Sequence, residues 1–364
     1  MIPATEGHAH HVPPGREGHA HHVPPGRPLP QHMRAVVASR PGGPEVLTMT
    51  RRALPQPARG EALVRVVAAG VNRADLMQRA GDYPGAAAVA DLGLEVSGVV
   101  VAAGPDVADD LLGREVCALL PGGGYAEYVA VRAAHLAPVP AGVSTVDAGG
   151  LMEAAATVWS NLYMPGKPEP GSWLLVHGGA SGIGATAVQL AAAHGVRVAT
   201  TVGSPDKARF VEELGADLVI DHRRQDFADE LRDRGIRPAV VLDIVGADYL
   251  QRNLRVLDRG GRLVVIGHQS GSKAPIDLEP LLRNNLTLTG SGLRMRPDHE
   301  KDQIIADLVR HVWPLYESGA IVPTTHAALP LERAAEAHRL LEQSHHRGKV
   351  LLLADPGLPP TPES

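Results

Sequence analysis

At 364 residues, with 44% hydrophobic and 21% charged side chains, the chain has a globular composition and, at ~150 residues per domain, length enough for two cores. A formal charge of −5 gives no electrostatic pull toward nucleic acid or an anionic membrane, and no apolar run approaches the ~20 residues that cross a bilayer. One cysteine, Cys117, excludes intrachain disulfides and a four-cysteine zinc site; with no signal peptide at the N-terminus it points to a reducing, cytoplasmic setting.

Residues 1–32 hold 7 of the 18 histidines and 7 of the 31 prolines, with EGHAHHVPPGR at 6–16 repeated at 17–27. No hydrophobic period runs through this stretch, so a disordered extension is expected, with histidine clusters of a kind that bind divalent metals. The folded chain is expected to begin at Met33. To about residue 155, short apolar runs (RAVVAS, ALVRVVAAG, LEVSGVVVAAG, EVCALL, AEYVAV) are punctuated by Pro and Gly, as in a β-rich unit with many turns. From about 172 strands alternate with helices: WLLVH and IGATAVQLAAAHG, VRVATTVG and PDKARFVEELG, ADLVID and QDFADELRDRG, AVVLDIVG and DYLQRNLRVLDRG, then RLVVIG. Such continuous apolar strands suit a parallel sheet buried on both faces. NLTLTG (Asn285–Gly290) reads as a last strand at the end of that sheet. KDQIIADLVRHVWPLYESG then reads as one helix, LERAAEAHRLLEQ as another and KVLLLA as a closing strand; the Pro-rich tail 355–364 is expected to be loose.

His177-Gly-Gly-Ala-Ser-Gly-Ile-Gly184 lies between the first strand and first helix of the alternating section. Glycines there let the chain turn tightly and let a pyrophosphate approach the free N–H groups of a helix start. The spacing is GxxxGxG, and with several βα units downstream it predicts dinucleotide binding. An NAD site places a carboxylate at the tip of the second strand; here that strand runs into Gly203-Ser204-Pro-Asp-Lys207. Ser204 can cap the next helix and Lys207 can reach a 2′-phosphate, which favours NADPH. Tyr163-Met-Pro-Gly-Lys167 matches a Tyr-x-x-x-Lys catalytic pair only in letters, because Pro165 and Gly166 prevent a helix from holding both side chains on one face.

The segments AAGVNRADLMQRAGDYPG, LGLEVSGVV, ALLPGGGYAEYV, HGGASGIGATAVQLA and GADLVIDHR stand in one order and resemble the medium-chain dehydrogenase/reductase superfamily, within it the zeta-crystallin-like, zinc-free quinone oxidoreductases. The likeness covers about residues 33–354 and is most specific at Asn72, Asp75, Gly81, Tyr83 and Pro84. It implies an α/β protein: a Rossmann doubly wound parallel sheet (157–292) inserted in a GroES-like β-rich catalytic domain (33–156 and 293–354). It implies, further, that Asn72 and Tyr83 border the nicotinamide and that Thr157 contacts the cofactor. Ala180, Ser181, Gly182 and Ile183 would cradle the pyrophosphate. Gly203, Ser204 and Lys207 would flank the 2′-phosphate, His222 the adenine, Ile266 and Gly267 the nicotinamide ribose, and Leu293 the nicotinamide-side wall. Zinc-dependent relatives carry a Gly-His-Glu ligand motif where this chain has Gly93-Leu94-Glu95, so no metal is expected and Glu95 is expected to be a buried, hydrogen-bonded carboxylate. The implied reaction is hydride transfer from NADPH to a quinone or conjugated enone, in a homodimer or homotetramer that binds neither nucleic acid nor membrane. The alternatives are a 2-enoyl-thioester reductase and, as a non-enzyme, a crystallin-like structural or RNA-binding protein; the acidic balance and 3% aromatic content oppose an RNA groove.

Overall fold

The computed structural model describes residues 28–83 and 91–354; the histidine repeat, Pro84 and the tail 355–364 lie outside them. The first part is β-rich, as the Pro/Gly-punctuated apolar runs require. Strands β1 (His32–Ala38) and β2 (Leu47–Ala53) pair antiparallel with each other. β3 (Glu61–Val71) leads into helix α1 (Arg73–Ala80), followed by β4 (Glu95–Ala103), β5 (Glu115–Leu119), β6 (Tyr128–Arg132) and β7 (Leu136–Pro138). Short helix α2 (Thr145–Ala148) precedes α3 (Met152–Val158), which continues through a π-helical turn at Trp159–Tyr163. Tyr163 stacks on Trp159 in that turn, ring centroids 4.9 Å apart, so it is a packing residue.

The alternating section forms β8 (Trp173–His177), α4 (Gly182–Ala193), β9 (Arg197–Val202), α5 (Pro205–Glu213), β10 (Leu218–Asp221), α6 (Phe227–Asp233), β11 (Val240–Asp243), α7 (Leu250–Val256), β12 (Arg262–Val265), α8 (Glu279–Asn284) and β13 (Thr287–Gly290). Its six strands are all parallel, in the spatial order β10-β9-β8-β11-β12-β13. The order reverses between β8 and β11, and a doubly wound sheet opens its ligand crevice at that switch, beyond the carboxyl ends of the strands. The glycine turn after His177 sits there.

The chain then returns to the first part. The single helix expected over 301–319 is two, α9 (Asp298–His311) and α10 (Trp313–Glu317), because Pro314 has no N–H to continue the ladder and fits only the first turn of a new helix. After β14 (Thr325–Pro330) and α11 (Ala334–Glu342), β15 (Lys349–Leu353) inserts between β14 and β3, giving the sheet order β14-β15-β3-β4-β5-β7, with β6 pairing β3 beside it. The largest apolar cluster joins both sheets: Cys117, Leu119 and Ala137 of β5 and β7 share it with α3, β8, α4, α9 and α10. No helix among the described residues is long and apolar enough to cross a membrane.

Candidate active site

Three of the expected pyrophosphate residues form the start of α4. Ser181 is its N-cap, and its Oγ accepts the Gly184 N–H at 3.0 Å, leaving the Gly182 and Ile183 N–H groups without helical partners. A side chain on Gly184 would stand 2.3 Å from the Gly178 carbonyl oxygen, so glycine is required for the turn to close. One on Gly182 would meet Lys349 Cδ at 2.5 Å: the lysine lies across the turn, and Gly348 donates its N–H to the buried Ala180 carbonyl at 2.8 Å. The nucleotide turn is thus anchored to the opening of β15.

At the next strand tip the Ser204 side chain caps α5, accepting the Lys207 N–H at 3.3 Å. Lys207 Nζ donates to the Ser344 carbonyl at 2.6 Å, which holds the half-buried ammonium beside the cap. Burial and, less, the nearby Arg223 lower the Lys207 pKa. A Cβ on Gly203 would lie 3.0 Å from His222 Nε2 and 3.4 Å from Arg223 Nε, so His222 and Arg223 converge on the same corner. Sequence reasoning missed Arg223, although the second arginine of IDHRR was a visible extra cation. Ile266 and Gly267 follow the end of β12 rather than closing it; Ile266 donates its N–H to the Asp243 carbonyl at 2.8 Å, beside the switch.

Packed against this cradle through Lys349 is a polar cluster. Glu95 is fully buried, and its Oε1 accepts from Lys349 Nζ at 2.5 Å and Asn72 Nδ2 at 2.9 Å, while its Oε2 accepts the Glu153 N–H at 2.9 Å. Lys349 Nζ also donates to Asn72 Oδ1 at 2.7 Å, so both ends of the Asn72 amide are engaged. Asn72 further caps α1, donating its backbone N–H to Asp75 Oδ2 at 2.8 Å. Asp75, buried, also accepts from the Gly93 N–H and from Tyr125 Oη; its burial is the larger effect and raises its pKa to about 6. Tyr83 is half-buried, with the Arg294 guanidinium 5.2 Å from its ring centre. Its phenol is pushed above its ordinary pKa by burial first, then by the Glu153 charge. Thr157 is buried on α3, one helical turn beyond Glu153. Leu293, expected as cleft wall, packs into the main apolar cluster, and its neighbour Arg294 is the residue that reaches Tyr83.

The cluster does not suit a zinc ion. Leu94 is buried where a histidine ligand would be needed, and the Lys349 ammonium already takes the oxygens of Glu95 and Asn72 that a cation would claim. Among the described residues no group of three or more histidine, cysteine, aspartate or glutamate side chains is placed to hold a metal. Lys349, Glu153 and Arg294 were also missed; the signal for Glu153 was one acid in the otherwise apolar run LMEAAATVW.

Two family models match the chain: "Alcohol dehydrogenase GroES-like domain" over residues 58–141 and "Zinc-binding dehydrogenase" over 182–309. Mouse quinone oxidoreductase is 29% identical over 333 residues, spanning 88% of this chain and 98% of its own. Escherichia coli quinone oxidoreductase, solved with NADPH, superposes with a TM-score of 0.80 at 29% identity, covering 88% of this chain and 99% of that one. A mycobacterial quinone oxidoreductase structure superposes with a TM-score of 0.75 at 31% identity, with the same coverages.

Proposed function

Because this chain belongs to the quinone oxidoreductase group of the medium-chain dehydrogenase/reductase superfamily, we propose that it is an NADPH-dependent reductase of quinones and conjugated enones. The observation that carries the reading is the Lys349 ammonium on Glu95 and Asn72, set directly against the glycine turn. A cleft that joins a nucleotide cradle to a lysine-filled polar cluster offers no Lewis acid to polarise an alcohol or simple ketone. The acceptor must bring its own electrophilicity, as quinones and enones do.

The residues present fit NADPH, which when bound supplies the hydride. The free N–H groups of Gly182 and Ile183, with Ala180 and Ser181 shaping the turn, would hold the pyrophosphate. Ser204, Lys207 and Arg223 would hold the 2′-phosphate by charge-assisted hydrogen bonds, with Gly203 keeping the corner open and His222 beside the adenine. Thr157, Ile266 and Gly267 line the way from the ribose to the nicotinamide. Lys349 and Glu95 fix the Asn72 amide at the cleft edge. Tyr83, with Arg294 over its ring, would offer its phenol O–H to an acceptor oxygen that becomes an oxyanion. Segments 33–156 and 293–354 act as the catalytic part and 157–292 as the nucleotide part, and the chain pairs with itself along β13.

Purified protein given NADPH or NADH with ortho- and para-quinones, simple enones and a crotonyl thioester tests the reading. Turnover of quinones and enones with NADPH, undiminished by chelators, is expected. Preference for the thioester favours the enoyl-thioester alternative, and no turnover of any acceptor removes the enzymatic reading altogether.

A further inference from the structure

Glu95 and Glu153 are neighbours in the polar cluster, and the one ammonium there pairs with Glu95. Lys349 sits on Glu95, whose second oxygen accepts the Glu153 backbone N–H, and the Glu153 carboxyl itself has no hydrogen-bond partner among the described residues. Glu153 is the one residue of α3 that is only partly buried; the rest of the helix, Thr157 included, is packed away. Its carboxyl belongs to the Glu95–Lys349–Asn72 cluster, near enough to Tyr83 and Arg294 to interact with their charges.

We propose that Glu153 is the general acid of this site, giving its proton to the acceptor oxygen after hydride transfer. This rests on the reading of the cleft as a hydride-transfer site. The acceptor takes a hydride with its electron pair from the reduced nicotinamide and becomes an oxyanion, the enolate of an enone or the monoanion of a hydroquinone. The Glu153 O–H bond breaks, an O–H bond forms on that oxygen, and the carboxylate left behind is reprotonated from water before the next turnover. One NADPH and one proton are consumed for each acceptor reduced.

The division of labour with Tyr83 follows from the surroundings. Burial and the Glu95 charge raise the Glu153 pKa to about 8, against the smaller downward pull of Lys349; Asp75 adds to the rise and Arg294 opposes it. A carboxyl that holds its proton at neutral pH and can release it there is matched to the task. The Tyr83 phenol, pushed up from an already high value, hydrogen-bonds the oxyanion and keeps its own proton.

Glu153→Gln in the full-length protein keeps the shape and removes the transferable proton. Wild-type kcat is expected to fall as pH rises through about 8, because the protonated form is the active one. The Gln variant is expected to lose that alkaline limb, to reduce enones roughly 10²-fold more slowly, at the lower end of what one general acid supplies, and to bind NADPH as the wild type does by fluorescence titration. Tyr83→Phe should keep the limb. A Glu153→Gln protein with wild-type kcat and an intact alkaline limb overturns the acid role while leaving quinone and enone reduction standing; a wild type inert to every acceptor fails the broader reading instead. Infrared titration of the wild-type protein reads the proton directly and does not depend on the variant folding. A protonated carboxyl disappearing near pH 8 supports the proposal, and the absence of any such group overturns it.

Discussion

Tyr83 combines an aromatic face and a phenol, and two substitutions separate them. Tyr83→Phe keeps the ring under Arg294 but removes the oxyanion's hydrogen-bond donor, so enone reduction should slow by roughly 10- to 1000-fold. Quinone reduction should suffer much less, since the hydroquinone anion is stabilised by its own aromatic ring. Tyr83→Ala should lower the rate on every acceptor and raise the KM for NADPH. Steady-state kinetics across both acceptor classes checks this, and equal losses for Phe on both would mean that the hydroxyl positions the cofactor. Lys207→Ala should weaken NADPH binding by about 1–3 kcal/mol, the scale of a charge-assisted hydrogen bond, and leave NADH nearly unchanged. Because Lys207 is held against the Ser344 carbonyl, little ordering entropy is lost when it meets a phosphate. Equal losses for both cofactors in a fluorescence titration would show that it does not read the phosphate.

At the scale of elements, the edge strand β13 is the most exposed feature of the nucleotide sheet. Among the described residues it pairs only with β12 and its other side is open, with all four of its residues exposed. Leu288 on the strand is 41% exposed and Leu282 on the preceding α8 is 83% exposed. An open edge flanked by apolar side chains invites pairing with a second copy about a two-fold axis. The full chain should therefore be a dimer, or a pair of dimers, by light scattering at micromolar concentration. Leu282→Lys with Leu288→Glu should shift it to monomer while the far-ultraviolet circular dichroism stays the same. A wild type that is strictly monomeric refutes the assembly.

For the whole molecule, the joint between the two sheets decides the behaviour. Their largest apolar cluster is common to both, running from β5 and β7 through α3 to β8, α4 and α9. Neither sheet can lose its packing there without exposing the other's core. Heating should therefore give one cooperative calorimetric transition, not two. NADPH at about 100 times its Kd should move the whole transition upward, by about 2.7 kcal/mol of added stability. Two resolved peaks, with only one responding to NADPH, would show that the parts unfold independently.

Local pattern was enough for much of this protein. Continuous apolar strands alternating with helices specify a parallel sheet because both faces must be covered, and glycines between the first strand and helix specify the nucleotide turn because a Cβ at Gly184 would strike the Gly178 carbonyl. Pro314 also marked a helix break within the sequence, though the apolar period across it masked the signal. The second half of the site was not legible in this way. Lys349 bonds Asn72 and Glu95 from 277 and 254 residues away, and Arg294 reaches Gln78 across 216. Each of these side chains sits in a stretch whose own periodicity describes only a strand, a helix or a turn. The proximity that lets one ammonium satisfy Glu95, and leaves the Glu153 carboxyl without a hydrogen-bond partner among the described residues, exists only once β15 inserts beside β3. Spacing along the chain encodes which element forms; which charges meet is decided by the packing of elements far apart in sequence.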